Sequence, residues 1–213
     1  HKTMGFSDLS NSLEVVSSKE SSDRVTFDEP RHTALKLFAQ HGFRQISMRD
    51  LAQHIGLKPG SIYYYIESKE QLLFEFIEEI YDQLNVADSQ AYNVLHLSPL
   101  ERLQRFIDYH LQVYSSMPMH FQLLQKEIVN LTDVYGDALR AHAYKYETYA
   151  LTVIEPLIDR QFKSYAAKKV GDIVRLLNSV PGCLLRSDFG RVDISRILFD
   201  LTMQVIRART PSR

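Results

Sequence analysis

Polar and aromatic side chains of the kind that contact nucleic acid are concentrated in one stretch, residues 47 to 70, SMRDLAQHIGLKPGSIYYYIESKE. Tyr63, Tyr64 and Tyr65 follow one another in it. Neighbouring residues of a helix point about 100° apart, so three consecutive rings cannot all be buried. At least one tyrosine must therefore face solvent or a ligand. The competing interpretation is that these rings are only core or interface aromatics.

The residues before the tyrosines predict a short helix that ends in a tight turn. Ser47 is a good N-cap, and Asp50 completes a capping box three residues later. Gly56 supplies the left-handed residue that often follows a helix, and Leu57 supplies the apolar contact beside it. The helix between them carries one apolar stripe, which consists of Met48, Leu51, Ala52 and Ile55.

A second short helix is predicted to begin at Pro59, because a missing N–H costs nothing in a first turn. Ile62 and Ile66 are four residues apart and are expected to face inward. Two short helices joined by a tight turn are typical of a helix-turn-helix, whose second helix presents polar side chains to the major groove. The residues positioned for DNA are Lys58, Ser61 and Tyr64 at the groove and Lys69 at a backbone phosphate.

Three segments in order, TALKLFAQHGF (33 to 43), SMRDLAQHIGLKPGSIYYYI and SKEQLL, make the chain resemble the DNA-binding domain of TetR-family transcriptional regulators. The resemblance implies a homodimer that binds a palindromic operator and releases it when a small ligand occupies the C-terminal domain. Lys58, Pro59 and Ile66 depart from the residues common in the family, as do Pro30 and Arg31 at the start of the first helix.

The resemblance also implies roles for single residues of the helix-turn-helix. It places Ser47 and Arg49 near DNA backbone and bases. It places Ser61 and Tyr64 at the groove, and it assigns the phosphate contacts to Tyr63, Tyr65 and Lys69.

Length and composition are compatible with such a protein. The chain has 213 residues, of which 45% are hydrophobic, so it can form one or two domains with a sizeable core. The formal net charge is −1, but residues 24 to 72 carry seven Lys or Arg and five Asp or Glu, which makes that segment mildly basic. No apolar run suits a membrane span, and no signal segment is seen. Cys183 is alone, so no intrachain disulfide is expected and a cytoplasmic location fits.

Helical periodicity runs along the whole chain, and we predict an all-α fold. An N-terminal three-helix helix-turn-helix head is expected over residues 24–70, after a flexible Ser-rich leader over 1–23. A helical ligand-binding and dimerisation domain is expected over 71–213. Helices are predicted over about 28–41, 69–92, 99–116, 118–131 and 134–165, and Pro156 is expected to kink the last of them.

Two apolar stripes near the C-terminus are the second informative feature. A helix hairpin with such stripes can pack against its symmetry mate as a four-helix bundle, and the resemblance assigns the dimer interface to these helices. The alternative is that both stripes pack on their own subunit. The residues predicted for the interface are Val170, Ile173, Val174, Leu177, Leu184, Ile197, Leu198, Leu201 and Val205.

The middle helices carry apolar and aromatic residues that could line a small-molecule pocket. Such pockets are commonly apolar with a few polar groups, and the resemblance places the effector between these helices. For any single residue, plain core packing is the competing interpretation. The composition suggests an amphipathic, largely apolar or aromatic ligand. The candidates are Phe106, Tyr109, His110, Tyr114, Met117, Phe121, Tyr146 and Ala150.

Motifs for catalysis are missing from the sequence. There is no G-x-S-x-G, no glycine-rich phosphate loop and no Cys-x-x-Cys. His110, His120 and Glu127 lack a metal-ligand spacing, so neither a metal nor a cofactor is expected. The sequence predicts a ligand-responsive, operator-binding transcriptional regulator, most simply a repressor, and not an enzyme. The alternative is a helical ligand-binding or protein-interaction dimer without operator-specific DNA binding.

Overall fold

The computed structural model describes residues 29–89 and 94–209, and these residues form helices and connecting turns with no β-strand. The prediction of an all-α fold is confirmed. The predicted leader lies outside the described residues. Contacts divide the chain into two units, His1–Lys69 and Glu70–Arg213. None of the described helices is both long and apolar enough to cross a membrane.

The first unit contains helix α1 over residues 29–41, a single 3-10 turn over Phe43–Gln45, and helix α2 over Met48–Ile55. Gly42 ends α1 with a φ of 86°, a left-handed conformation that glycine adopts without steric cost. The core of the unit is built from apolar side chains of these elements and of the segment that follows α2, among them Leu35, Phe38, Leu51, Ala52, Ile62 and Ile66.

The second helix predicted after Pro59 is shorter than expected. The structure has one 3-10 turn, Ser61–Tyr64, preceded by a turn in which Ser61 N–H donates to the Lys58 carbonyl at 2.9 Å. Pro59 lies inside that earlier turn, so it does not occupy the first turn of a helix. The predicted inward direction of Ile62 and Ile66 is confirmed, since they are 0% and 4% exposed.

The second unit contains six helices within the described residues. Helix α4 packs against several of the others, and it begins with a capping box, in which Ser98 N–H donates to the Glu101 carboxylate at 2.8 Å. The predicted helix over 118–131 ends at Glu127, and a 3-10 turn, Ile128–Asn130, follows it. The bounds are α3 Lys69–Ser89, α4 Pro99–Ser116, α5 Pro118–Glu127, α6 Asp133–Ile154, α7 Ala166–Leu184 and α8 Arg191–Arg207.

The single kinked helix predicted over 134–165 is wrong. Helix α6 ends at Ile154, and two separate 3-10 segments follow, Glu155–Leu157 and Arg160–Tyr165. Pro156 has no N–H and crowds the preceding turn, so the helix ends there instead of bending. The backbone then becomes extended at Ile158, with a φ of −83° and a ψ of 130°.

Five of the nine residues predicted for the dimer interface are buried inside their own subunit. The side chains of Val170, Ile173, Val174, Leu177 and Leu198 are between 0% and 6% exposed. They cannot also contact a second subunit in this conformation, because their surfaces are already covered. For these five residues the packing agrees with the alternative, in which the stripes pack on their own subunit, and the dimer interface itself stays a prediction. The partly exposed members of the set are Leu184, Ile197, Leu201 and Val205.

A buried lysine joins the last two helices. Lys169 of α7 is 3% exposed, and its Nζ donates to the Val205 carbonyl at 2.8 Å and to the Ala208 carbonyl at 2.6 Å. Both carbonyls lie at the C-terminal end of α8, where helix carbonyls lack intrahelical partners and favour a cation. The sequence interpretation gave Lys169 no role.

Two histidines on neighbouring helices contact acidic side chains of helix α3. His142 of α6 lies 2.9 Å from the Glu78 carboxylate, and His120 of α5 lies 3.0 Å from the Glu79 carboxylate. We call these two contacts the His–Glu pairs. Phe76 of α3 also packs edge-on against His120, at 5.8 Å between ring centroids. Consecutive acidic residues of α3 are therefore bound to two different helices of the second unit.

Candidate nucleic-acid interface and ligand cleft

The start of α2 is fixed by a complete capping box. Ser47 N–H donates to the Asp50 carboxylate at 2.9 Å, and Asp50 N–H donates to the Ser47 hydroxyl at 3.0 Å. The hydrogen bond from the Ser47 hydroxyl is the main cause that lowers the pKa of Asp50. The carboxylate is therefore ionised at neutral pH and occupied by its own helix. This local order holds Ser47 and Arg49 on the exposed N-terminal turn of α2.

The turn after α2 follows the predicted chemistry. Gly56 has a φ of 83° and a ψ of 20°, and Leu57 N–H donates to the Ala52 carbonyl at 2.8 Å. Both features are typical of a helix that ends on a left-handed glycine. They direct the chain towards Lys58 and the tyrosine segment.

All three consecutive tyrosines are exposed. The exposed fraction is 88% for Tyr64, 59% for Tyr63 and 46% for Tyr65. The rings of Tyr64 and Tyr65 meet edge to face, with centroids 5.3 Å apart. These rings are not part of the core of their unit. Together with Lys58 and Ser61, which are also exposed, they form a surface with phenol hydroxyls and a cation.

The Lys69 ammonium, which was predicted to contact a DNA phosphate, already has partners within the first unit. Its Nζ donates to the Phe43 carbonyl at 2.9 Å and lies 4.3 Å from the centroid of the Phe43 ring. A lysine ammonium has three donors, so a phosphate contact would use one that remains. The sequence gave no sign of this contact, which joins residues 26 positions apart.

The second unit has a cleft of about 210 Å³ beside α4. Only Phe106 and Tyr109 among the eight predicted ligand-binding residues line it. Sequence reasoning missed the rest of the lining, although Arg102 lies two turns and Arg105 one turn before Tyr109 on the same helix. The residues that it missed are Ala87, Val94, Arg102, Arg105, Tyr149 and Val153.

The other predicted ligand-binding residues lie elsewhere in the unit. Tyr114 lines a separate groove beside α5 and α7, and Met117 is half-buried between α4 and α5. The remaining four are fully buried in the core, with exposed fractions of 0% to 1%: His110, Phe121, Tyr146 and Ala150. The structure therefore does not bring the predicted set together on one cavity wall.

His110 forms a buried polar cluster behind the cleft. Its Nδ1 lies 2.7 Å from the Tyr146 hydroxyl, and Phe106, which lines the cleft, stacks on the Tyr146 ring at 5.7 Å. Burial is the main cause that lowers the pKa of His110 to about 4, while the nearby Asn178 side chain opposes the shift. Neither His110 Nε2 nor Asn178 Oδ1 has a well-formed hydrogen bond within the described part of the chain. His110 is therefore neutral at physiological pH.

Comparison with known proteins agrees with the helix-turn-helix. The family model for bacterial regulatory proteins of the tetR family matches residues 31–76. A curated relative, the HTH-type transcriptional repressor KstR2 of Mycobacterium tuberculosis, is 36% identical over 76 residues. That alignment covers 33% of this chain and 35% of the relative, so about a third of the relative's length is matched.

Solved structures extend the likeness of fold over most of the chain. The TetR-family regulator PfmR from Thermus thermophilus has a TM-score of 0.68 at 21% identity, and 84% of this chain and 99% of that one are covered. AibR, solved in complex with isovaleryl coenzyme A and operator DNA, has a TM-score of 0.67 at 16% identity, covering 83% and 97% of the two chains.

The structure comparisons and the sequence comparisons support different conclusions. At these identities the solved structures establish the fold alone, whereas the family model matches the helix-turn-helix segment in sequence. The matched residues 31–76 contain the capped helix α2, its glycine turn and the three exposed tyrosines. Residues 31–76 of the chain therefore match the tetR family of bacterial regulatory proteins.

Proposed function

We propose that this protein is a ligand-responsive transcriptional regulator that binds a palindromic operator as a homodimer. The simplest form is a repressor that a small molecule releases from DNA. The observation that carries the proposal is the exposed surface formed by Tyr63, Tyr64, Tyr65, Lys58 and Ser61 next to a capped helix. Exposing the apolar surface of several rings to water is unfavourable, and a partner that covers the rings explains their position.

The chemistry of this surface suits a DNA duplex. Tyrosine hydroxyls and a serine donate to phosphate oxygens or to base edges, and the lysine adds a counter-charge. We assign Tyr64 to the groove because it is the most exposed ring, and we assign Tyr63 and Tyr65 to the backbone on either side. A regulator of this kind acts in the compartment that holds the DNA, which in a bacterium is the cytoplasm.

Recognition of a palindrome requires two heads. The recognition elements of a dimer must lie about 34–36 Å apart to enter successive major grooves. We propose that the subunits meet through α7 and α8. Leu184, Ile197, Leu201 and Val205 are the members of the predicted set whose surfaces are still available.

The effector is proposed to bind in the second unit, at the cleft beside α4. A ligand that prefers one conformation of the dimer changes the affinity for DNA by that preference, and DNA changes the affinity for ligand by the same factor. The curated relative KstR2 is named as a transcriptional repressor, and AibR was solved with both a ligand and operator DNA. On this basis we propose a regulatory protein without catalytic activity of its own.

The experiment that tests the proposal begins with selection of random duplex DNA on the purified full chain at moderate salt. Sequencing of the bound pool should show an enriched palindrome. A pool without enrichment contradicts operator-specific binding and favours the alternative, a helical ligand-binding or protein-interaction dimer. Binding that disappears at higher salt without any sequence preference has the same meaning.

Tyr64→Ala is the variant that tests the assignment of the groove. A base-edge contact is typically worth about 1–3 kcal/mol, so we expect operator affinity to fall about tenfold or more. The free energy of unfolding should change by less than about 0.5 kcal/mol, because the ring is 88% exposed. Fluorescence anisotropy with the selected operator measures the first quantity, and chemical denaturation measures the second.

Tyr144→Ala is the matched control, since Tyr144 is 73% exposed on α6 of the second unit. It removes an exposed ring of the same kind from a surface that has no proposed DNA contact. Undiminished operator affinity in Tyr64→Ala, or an equal loss in both variants, contradicts the assignment of Tyr64 to the groove.

A further inference from the structure

The lining of the cleft beside α4 is unbalanced in charge. Two arginines, Arg102 and Arg105, line it, and no aspartate or glutamate of the described ranges does. The other lining groups are apolar or aromatic, and they include Phe106, Val153 and Tyr149. A pocket with positive charge at one part of its wall and apolar surface elsewhere fits an amphipathic anion.

Arg102 is fixed in position by the loop before α4. Its Nε donates to the Leu97 carbonyl at 3.0 Å, and its Nη2 donates to the Leu95 carbonyl at 2.8 Å. No carboxylate neutralises it in these contacts, since both acceptors are backbone carbonyls. The guanidinium therefore keeps its charge beside the cleft, and its orientation costs no entropy when a ligand binds.

Arg105 is exposed one turn further along α4 and is available to a ligand. It makes no hydrogen bond or ion pair with any residue in the described ranges. Its charge contributes only the smallest of the effects that lower the pKa of Glu101, a residue occupied by its own capping box. Arginine pairs with carboxylate through two parallel hydrogen bonds, which gives both affinity and orientation.

Tyr149, which lines the cleft, supplies a neutral hydrogen-bond donor. Burial raises the pKa of Tyr149, and the negative charge of Asp88 raises it further, so its hydroxyl is protonated at neutral pH. The exposed Asp88 does not line the cleft. The Tyr109 hydroxyl is already used, because it donates to the Gln83 carbonyl at 2.6 Å. The size of the cleft, about 210 Å³, lies below the roughly 300–1,000 Å³ common for drug-sized ligands.

We propose that this cleft binds a small monocarboxylate with an apolar or aromatic tail. The carboxylate pairs with Arg105 and approaches Arg102, while the tail packs against Phe106 and Val153. Only the claim that the carboxylate is the effector rests on the proposed function. Binding itself requires no DNA. It sharpens the earlier expectation of a largely apolar ligand by adding a required negative charge.

Isothermal titration of the full chain with a matched series tests the requirement for charge. The probes are 3-phenylpropionate, its primary amide and 3-phenylpropylamine, which share one tail and differ in charge. We expect the carboxylate to bind at least about tenfold more tightly than the amide, which corresponds to about 1.4 kcal/mol, and we expect no binding of the amine. Hexanoate and hexanamide repeat the comparison with an aliphatic tail.

Arg105→Gln tests the assigned contact, and Arg140→Gln is its control. Arg105→Gln should reduce the affinity for the carboxylate about tenfold and leave the affinity for the amide unchanged. Arg140 is an exposed arginine of α6 outside the cleft, so its variant should bind like the parent protein. Thermal unfolding of both variants checks that the fold is intact. The proposal is overturned if neither carboxylate binds, if acid and amide bind equally, or if Arg105→Gln has no effect.

Failure of this inference is distinguishable from failure of the proposed function. If a carboxylate binds through Arg105 but never alters affinity for the selected operator, the ligand site stands and the regulatory coupling is refuted. If an operator is selected and no carboxylate binds, the cleft proposal is refuted and DNA recognition stands.

Discussion

His110 is a fully buried residue that changes charge within an accessible pH range. Burial lowers its pKa to about 4, from an ordinary value of 6.5. The unfolded chain takes up a proton below pH 6.5, whereas the folded chain resists it until about pH 4. The contribution of the neutral His110 ring to the free energy of unfolding is therefore fully present above pH 6.5. It is lost as the pH falls from 6.5 towards 4.

The predicted loss is about 3 kcal/mol between pH 7 and pH 4, because one pKa unit corresponds to about 1.4 kcal/mol. Denaturant unfolding of the parent and of His110→Gln at several pH values isolates this contribution. The glutamine cannot titrate, and other acid-sensitive groups cancel in the difference. The stability advantage of the parent should shrink as the pH falls, and an advantage that is constant between pH 7 and pH 4 contradicts the prediction.

Residue types predicted the exposed surface of the first unit better than the cavity of the second. Three adjacent tyrosines cannot share a helix face, so exposure of at least one of them followed from the chain geometry alone. The ligand-site prediction lacked such a constraint, because aromatic residues at helical spacing fit a core as well as a pocket. His110 and Tyr146 are accordingly buried behind the cleft, and Arg105 was overlooked although it lines the cleft.

Backbone carbonyls at the C-terminal end of helix α8 accept hydrogen bonds from a side chain of α7, Lys169. Lys169→Met removes the donor that serves the Val205 and Ala208 carbonyls. A buried polar group left without a partner costs about 1–3 kcal/mol, and we expect a loss of that size in the free energy of unfolding. Chemical denaturation followed by circular dichroism measures it.

Lys168→Met is the natural control, because it makes the same change at the neighbouring position. Lys168 is exposed and pairs with Asp172 on its own helix, and such surface pairs contribute little. We expect its stability to change by less than about 0.5 kcal/mol. Equal effects of the two substitutions would show that the carbonyl contacts of Lys169 are unimportant.

Local signals predicted where helices begin more reliably than where they end. The serine cap at Ser47 and the glycine turn at Gly56 act within one turn of the chain, and the structure contains both. The end of α6 was wrong because a proline can either bend or stop a helix, and the outcome depends on packing beyond that turn. The cap supplied by Lys169 lies 36 and 39 residues from the carbonyls that it serves, beyond any local pattern.

At the scale of the whole molecule, the proposed dimer depends on a partly exposed stripe of α8. Ile197, Leu201 and Val205 are four residues apart and share one side of the helix. Leu201→Arg places a charge in the centre of this stripe, so we expect the subunits to separate and operator affinity to fall with them. Sedimentation velocity measures the first effect, and fluorescence anisotropy measures the second.

Asp200→Arg adds the same side chain at the next position, which is exposed and points about 100° away. It should leave the association of the subunits unchanged. If Leu201→Arg still forms a dimer, the interface lies elsewhere on the molecule. The sequence could not have separated this stripe from the buried residues beside it, because both are equally apolar and only the packed helices show which surface remains.

The two His–Glu pairs limit how helix α3 can move. Glu78 and Glu79 are adjacent, so their side chains leave the helix about 100° apart, and each is bound to a different neighbouring helix. Rolling α3 about its own axis would pull at least one carboxylate away from its histidine. Sliding or tilting together with α5 and α6 keeps both contacts. Helix α3 begins at Lys69, the last residue of the first unit. Under the proposed function, a signal that leaves the second unit through this helix would therefore be a displacement of the helix axis rather than a rotation about it.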